Sequence, residues 1–184
     1  MENTETTDFI SYDDNWLSMP FSDKWLETFD FVKNYISENI SKNLASNMVD
    51  EIQAVLYTLV HDGDTNEDMV LKTALLYLLA KKTGYNIDLV KKDYDKFTFK
   101  GAKLLLDREN PDYLNNVFLN DDYAYLNKIK LAEYIISLNK LKSSKDIVER
   151  TRKTKLIQHV IKTYEGKTHR GLMNMLKETL KSFN

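Results

Sequence analysis

Glycine and proline are scarce in this chain, which has five glycines and two prolines in 184 residues. Sheets use these residues in their turns, whereas helix interiors exclude them. Apolar residues also recur at three- and four-residue spacing, as in Trp25, Leu26, Phe29, Val32 and Ile36, which is the period of an amphipathic helix. We therefore expect an all-α fold, a bundle of about eight to ten helices.

Capping residues give approximate helix boundaries. Ser22 is an N-cap candidate for a first helix that reaches about Lys42, and Thr65 with Asp68 resembles a capping box that opens the third helix. Gly84 is expected to end that helix. The other helices are expected around 48–59, over 88–105 as a short helix leading into another, in a short segment begun by Pro111, and over 126–141, 144–164 and 168–183.

Charge is distributed unevenly, although the formal net charge is only −2. Residues 1–30 hold eight acids against one lysine, and residues 140–184 hold twelve Lys and Arg against four acids. The two ends could attract each other, or the basic end could meet an anionic partner.

Residues 1–21 lack helical periodicity and differ from the rest of the chain. We interpret them as an acidic, aromatic-containing N-terminal tail that is mobile or depends on a partner, and residues 22–184 as one helical domain. The aromatic residues of the tail, with Trp16 and Phe21 as anchors, favour folding back onto the domain over a dedicated partner-binding motif.

Cysteine is absent from the chain, which excludes disulfides and thiolate metal sites. A secretory leader and an apolar run of about twenty residues are also missing from the sequence. We therefore expect a cytoplasmic protein that does not contact a membrane.

Two short segments carry a family resemblance. Residues 74–84 read Ala-Leu-Leu-Tyr-Leu-Leu-Ala-Lys-Lys-Thr-Gly, and residues 130–141 read Lys-Leu-Ala-Glu-Tyr-Ile-Ile-Ser-Leu-Asn-Lys-Leu. They resemble the Ala-Leu-Leu-His-Asp…Glu-Asp-Thr and Lys-Leu-Ala-Asp…Asn-Leu-Arg signatures of the RelA/SpoT-type HD hydrolases, which remove pyrophosphate from the alarmone (p)ppGpp. The resemblance extends over about residues 24–183 in the length and order of the helices, and it implies an HD-domain-like bundle.

The positions of the family's metal ligands hold other residues here. In that family two histidines, a His-Asp pair and a later Asp bind one divalent ion, which activates a water molecule. The corresponding positions in this chain are Ile36, Glu51, Tyr77, Leu78 and Glu133. Two carboxylates and no imidazole remain, so the comparison implies no catalytic residue, no bound metal and no cofactor.

The family's Glu-Asp pair, which positions the attacking water, becomes Lys81-Lys82. Two cations do not replace a carboxylate base at neutral pH, but they are suited to holding a phosphate. Lys42 and Lys130 are candidate further contacts for such an anion. The other interpretation of Lys81 and Lys82 is a solvated helix C-terminus, where cations favour the helix dipole.

A predicted helix near the C-terminus carries a second set of cations. A solvated surface is the default interpretation, and a surface for nucleic acid or an acidic partner is the alternative. The residues of this basic face are Arg150, Arg152, Lys153 and Lys155.

The three histidines do not suggest a metal site. His61-Asp62 is a literal His-Asp pair, but it lies in a polar segment before the helix that carries Tyr77, so we expect a solvent-exposed turn. His159 and His169 are expected on helix surfaces.

The resemblance implies a catalytically inactive, small-alarmone-hydrolase-like protein that binds a protein partner or an anionic nucleotide such as (p)ppGpp. Two alternatives remain open. One is a divergent active (p)ppGpp or nucleotide pyrophosphohydrolase that uses Glu51 and Glu133. The other is a nucleic-acid-binding regulator that acts through the basic helix over 150–162, although nucleic acid is not the expected partner.

Overall fold

The computed structural model describes residues 23–63 and 67–183. These residues form eight α-helices and no strand, which confirms the all-α prediction. The tail assigned to residues 1–21, the Ser22 cap and Thr65 of the capping box lie outside the described residues. The helices are α1 (Asp23–Asn39), α2 (Lys42–His61), α3 (Asp68–Thr83), α4 (Lys96–Leu106), α5 (Tyr113–Phe118), α6 (Tyr125–Leu141), α7 (Ile147–Tyr164) and α8 (Arg170–Lys181).

Helices α3 and α6 form the centre of the bundle. α3 packs against α1, α2, α4 and α6, and α6 packs against α2, α5 and α8. Residues 73–80 of α3 and 129–135 of α6 are buried on every side, as expected for helices inside a core. Polar side chains in these two stretches are therefore held inside the protein.

Most of the predicted helix boundaries agree with the structure. Gly84 adopts a left-handed conformation with φ 75°, and its amide donates to the carbonyl of Ala80, so α3 ends where expected. Helix α6 starts at Tyr125, one residue before the predicted start. Two short 3₁₀ helices, Ile87–Val90 and Asp121–Tyr123, occupy turns between the longer helices.

The first helix ends earlier than predicted, at Asn39 rather than near Lys42. The Asn39 side chain donates to the carbonyl of Tyr35, and the Ser37 hydroxyl donates to the carbonyl of Asn34. Side-chain bonds of this kind compete with the helical backbone pattern. Lys42 is therefore the first residue of α2.

Two histidines differ from their predicted settings. His61 is the last residue of α2 rather than part of the loop, and its ring stacks on Tyr57 with centroids 4.1 Å apart. His169 precedes α8, where its Nδ1 accepts a hydrogen bond from the amide of Leu172 and caps the helix. Both contacts are local and leave no periodic signal in the sequence.

No helix formed by residues 23–63 and 67–183 combines the length and the apolar character needed to cross a membrane.

Candidate functional site

A buried polar cluster joins α3 to α6. Glu133, with 1% of its surface exposed, accepts a hydrogen bond from the Tyr77 hydroxyl on Oε2 at 2.7 Å. Lys130, 3% exposed, donates to the same oxygen at 2.7 Å and to the Tyr77 hydroxyl oxygen at 2.7 Å. Lys81 forms an ion pair with the other oxygen, Oε1. Both carboxylate oxygens of Glu133 are thus engaged by cations and a hydroxyl.

Helical spacing explains how these four side chains meet. Tyr77 and Lys81 are four residues apart on α3, and Lys130 and Glu133 are three apart on α6, so each pair shares a helix face. Because the two helices are packed in the core, the faces meet inside the protein. We name the set Tyr77, Lys81, Lys130 and Glu133 the buried cluster.

Three tyrosine rings surround the Lys130 ammonium. Its Nζ lies 5.2 Å from the centroid of Tyr77, 5.7 Å from that of Tyr113 and 5.1 Å from that of Tyr134, within the range of cation–π attraction. Burial, and then the positive charges of Lys81 and Arg108, lower the pKa of Lys130. Burial also raises the pKa of Tyr77, which keeps the hydroxyl proton that Glu133 accepts.

A second carboxylate is paired nearby. Glu51 of α2 contacts Lys82 at 2.7 Å through Oε1 and Lys140 at 2.9 Å through Oε2. Burial alone would raise the pKa of Glu51, but the hydrogen bonds and charges of Lys82 and then Lys140 outweigh it and lower that pKa. Glu51 is therefore an ionised partner of two lysines.

A cavity of about 620 Å³ opens beside the buried cluster. Six cations and two carboxylates line it, and three serine hydroxyls add hydrogen-bond donors and acceptors. Its lining residues are Glu51, Lys81, Lys82, Arg108, Ser137, Lys140, Leu141, Ser143, Ser144, Glu149, Arg152 and Lys153. We name it the cationic cavity.

Positive charge in the cationic cavity is not balanced by its acids. Burial, followed by the charges of Arg108 and Lys153, lowers the pKa of Lys81 to about 7. Burial and the charge of Arg108 also lower the pKa of Lys153. Mutual repulsion among cations is relieved by an anion placed between them.

The lysines that end α3 are not a solvated helix terminus. The Lys81 side chain is 22% exposed and that of Lys82 is 12% exposed. Each ends in an ion pair with a partly or fully buried carboxylate, Glu133 and Glu51 respectively. Their positions agree with a role inside the cavity.

Of the five positions that the sequence resemblance matched to metal ligands, three lie at or beside the cavity. Tyr77 and Glu133 are bonded to each other, and Glu51 lies across the cationic cavity beside Lys82. Ile36, 0% exposed, and Leu78, 1% exposed, belong to the hydrophobic core.

Among the predicted anion contacts, Lys81 and Lys82 line the cationic cavity, and Lys130 lies in the buried cluster. Lys42 is exposed at the first position of α2 and is not part of the cavity lining. Lys42, predicted as a further contact for the anion, is therefore not brought to the cavity.

Helix α7 separates the residues of the predicted basic face. Arg152 and Lys153 line the cationic cavity. Arg150 and Lys155 line a different depression, of about 420 Å³, between α7 and Phe183. Arg150 and Lys153, and Arg152 and Lys155, are each three residues apart and so are neighbours on the helix. The four cations are therefore adjacent on α7 but line two separate depressions.

Sequence reasoning did not identify Arg108 and Lys140 as site residues. Arg108 follows α4, and its Nη2 donates to the Tyr77 hydroxyl oxygen at 3.2 Å. Only the packing of α4 on α3 brings it there, so no local pattern marks it. Ser137 and Lys140 could have been predicted from the sequence, because they follow Glu133 by four and seven residues and so share its helix face.

Within the described ranges, the acidic and histidine side chains do not gather in any group of three that could hold a metal ion. Glu51, which lines the cavity, and Glu133, which lies in the adjoining buried cluster, are each bound to two lysines. The arrangement suits binding of an anion more than binding of a cation.

The chain matches no protein-family model, no curated protein and no solved structure. Its function is therefore inferred from the geometry of its own residues.

Proposed function

We propose that this chain is a catalytically inactive protein that resembles the small alarmone hydrolases and binds an anion bearing phosphate groups, such as (p)ppGpp, in the cationic cavity. The observation that carries this proposal is the excess of positive charge in one cavity, which is lined by six cations and only two carboxylates. Binding requires no metal ion, because the protein's own ammonium and guanidinium groups balance the ligand's charge.

Catalysis of the family's kind would need a free carboxylate beside a metal-bound water. Glu133 occupies a former ligand position, but the Lys81 and Lys130 ammonium groups and the Tyr77 hydroxyl take up its lone pairs. A divalent ion at this point would meet two positive charges. This arrangement supports binding without turnover.

The size of the cavity also suits a small ligand. Ligand pockets commonly measure ~300–1,000 Å³, and the cationic cavity measures about 620 Å³. Arg108 and Arg152 offer planar groups that can bind a phosphate through two hydrogen bonds at once. Lys81, Lys82 and Lys153 add point charges, and the serines add hydroxyl groups.

A nucleic-acid interface receives less support from the geometry. Arg150 and Lys155 line one depression, and Arg152 and Lys153 line another that also holds Glu51 and Glu149. The basic residues of α7 are thus divided between two sites instead of forming one purely basic face for a phosphate backbone.

The double variant Lys81→Ala/Lys82→Ala should bind (p)ppGpp, GTP and pyrophosphate at least about tenfold more weakly than the wild type, ~1.4 kcal/mol. The reason is the removal of two partly buried cations from the cavity wall. Isothermal titration calorimetry with the three ligands measures the change. The matched control is Lys91→Ala/Lys92→Ala, another adjacent lysine pair that is exposed and lies outside the cavity.

Equal affinities of the double variant and the wild type would contradict the anion site, as would binding of all three ligands only above about 1 mM. A protein partner would then be the remaining form of the proposal. Release of pyrophosphate from (p)ppGpp with manganese present, above a heat-denatured control, would instead favour a divergent active hydrolase.

Anion binding should weaken as pH rises through 7. The pKa of Lys81 is lowered to about 7, so this side chain is cationic below pH 7 and becomes neutral above it, removing one positive charge from the cavity. Sulfate is a suitable probe because its own charge is constant over this range. Its affinity should fall between about pH 6 and about pH 8, and binding should take up a proton.

The Lys81→Met variant serves as the comparison for this pH series. It should bind sulfate weakly at each pH and show little change across the range. An affinity of the wild type that stays constant from about pH 6 to about pH 8 would show that Lys81 does not contact the anion.

A further inference from the structure

Helix α7 packs sparsely on the rest of the described domain in its first half. Its buried residues, Ile157, Val160 and Tyr164, all lie in the second half. Ile147 is 75% exposed and Val148 is 79% exposed, the highest values among the large apolar side chains that the structure describes. A segment bound against this part of α7 would remove apolar surface from water.

The side of α7 that faces away from the cationic cavity forms a groove with the C-terminal end of the chain. Ile147, Arg150, Thr151, Thr154, Lys155 and Gln158 line it from α7, and Phe183 closes it. The guanidinium of Arg150 lies 4.8 Å from the centroid of the Phe183 ring. Two cations and no carboxylate line this groove, whereas the other described side of α7 includes Glu149. We name it the α7 groove.

Residues 1–22 have the complementary composition. They contain five acids, Glu2, Glu5, Asp8, Asp13 and Asp14, and no lysine or arginine. Apolar and aromatic residues alternate with the acids, namely Phe9, Ile10, Tyr12, Trp16 and Leu17. An acidic segment with apolar side chains fits a groove that combines two cations with an exposed isoleucine.

The length of this segment allows it to reach the groove. A chain of 22 residues spans at most roughly 70 Å, whereas a domain of this size has a radius of gyration of roughly 15 Å. A covalent tether also gives the segment a high effective concentration at any surface within reach.

We infer that residues 1–22 bind in the α7 groove of the same chain, with their acids at Arg150 and Lys155 and their apolar side chains against Ile147. This interaction is separate from anion binding, because the α7 groove and the cationic cavity share no lining residue. Residues 1–22 thus cover the surface that the helical domain leaves open.

Tryptophan fluorescence offers a direct test in the full chain. The protein has two tryptophans, and Trp25 is 1% exposed in the core, so quenching by acrylamide reports on Trp16. At low salt Trp16 should be protected relative to a synthetic peptide of residues 1–22. The variant Arg150→Glu/Lys155→Glu should lose this protection, and rising salt should reduce it in the wild type.

A charge reversal separates direct contact from an indirect effect. Adding Asp13→Lys/Asp14→Lys to Arg150→Glu/Lys155→Glu should restore protection of Trp16. The control Lys92→Glu/Lys96→Glu makes the same change of charge at exposed positions outside the groove and should leave protection intact. Far-UV circular dichroism verifies that each variant is folded.

Three results would overturn the inference. The first is a wild-type Trp16 as accessible to quencher as in the free peptide. The second is protection that survives Arg150→Glu/Lys155→Glu or is lost in the Lys92→Glu/Lys96→Glu control. The third is protection that grows with protein concentration, since this would place the segment on a second copy of the chain.

Discussion

Replacing Glu133 with alanine is expected to lower the free energy of unfolding by roughly 3–5 kcal/mol, because removing one partner of a buried ion pair strands the other charge. Lys130 is 3% exposed. Its ammonium group donates hydrogen bonds to Tyr77 and Glu133 and otherwise faces the three tyrosine rings. Lys81 would lose its carboxylate as well. Urea unfolding followed by circular dichroism measures the change.

Two further variants identify the cause of this loss. Glu149→Ala removes an exposed acid from the cavity wall and should change stability by no more than about 0.5 kcal/mol. Lys130→Met/Glu133→Leu removes both charges and should recover most of the stability, because well-packed apolar replacements of buried ion pairs are often neutral or stabilising. Unfolding of Glu133→Ala at the wild-type urea concentration would contradict the buried cluster.

The double variant Tyr77→His/Leu78→Asp, which introduces a His-Asp pair like that of the alarmone hydrolases, is expected to lose more than about 4 kcal/mol of stability. Leu78 is 1% exposed, so the introduced carboxylate would be buried in the hydrophobic core. The substitution of Tyr77 also removes the hydroxyl that joins Lys130, Arg108 and Glu133.

The same variant is expected to bind no manganese. Ile36, at a third position matched to a metal ligand by the sequence resemblance alone, remains apolar. Lys81 and Lys82 keep positive charge beside the site. Elemental analysis after dialysis against manganese measures metal binding. The control for stability is Leu78→Met, which conserves side-chain volume and should lower the free energy of unfolding by less than about 1.5 kcal/mol. A double variant that unfolds like the wild type and retains one equivalent of manganese would show that the pocket still accepts an ion.

Local patterns were sufficient to predict most of the helices. The stop at Gly84 depends on a residue that tolerates positive φ, and α6 depends on a long apolar repeat. The predicted end of α1 was wrong because the side chains of Ser37 and Asn39 bond to the backbone. The spacing of apolar residues does not reveal such bonds.

Residues of the site could be predicted from the sequence only where two of them lie on the same helix face. Tyr77 with Lys81, and Lys130 with Glu133, are spaced so that each pair shares a face, and two recognisable segments contain them. Arg108 reaches the cluster through packing between α3 and α4, and no spacing in the sequence encodes such a contact. The division of the basic helix into two sides required knowledge of which stripe of α7 packs on the domain.

The sparse packing of α7 predicts that one wall of the cationic cavity opens and closes locally. The first three turns of α7 contribute no fully buried side chain, only the partly buried Arg150, Lys153 and Thr154. The amide hydrogens of these turns are therefore expected to exchange through local opening well before the domain unfolds. Each opening removes Arg152 and Lys153 from one wall. A ligand that needs both residues binds only the closed form, and the order of this helix and the occupancy of the cavity are therefore thermodynamically linked.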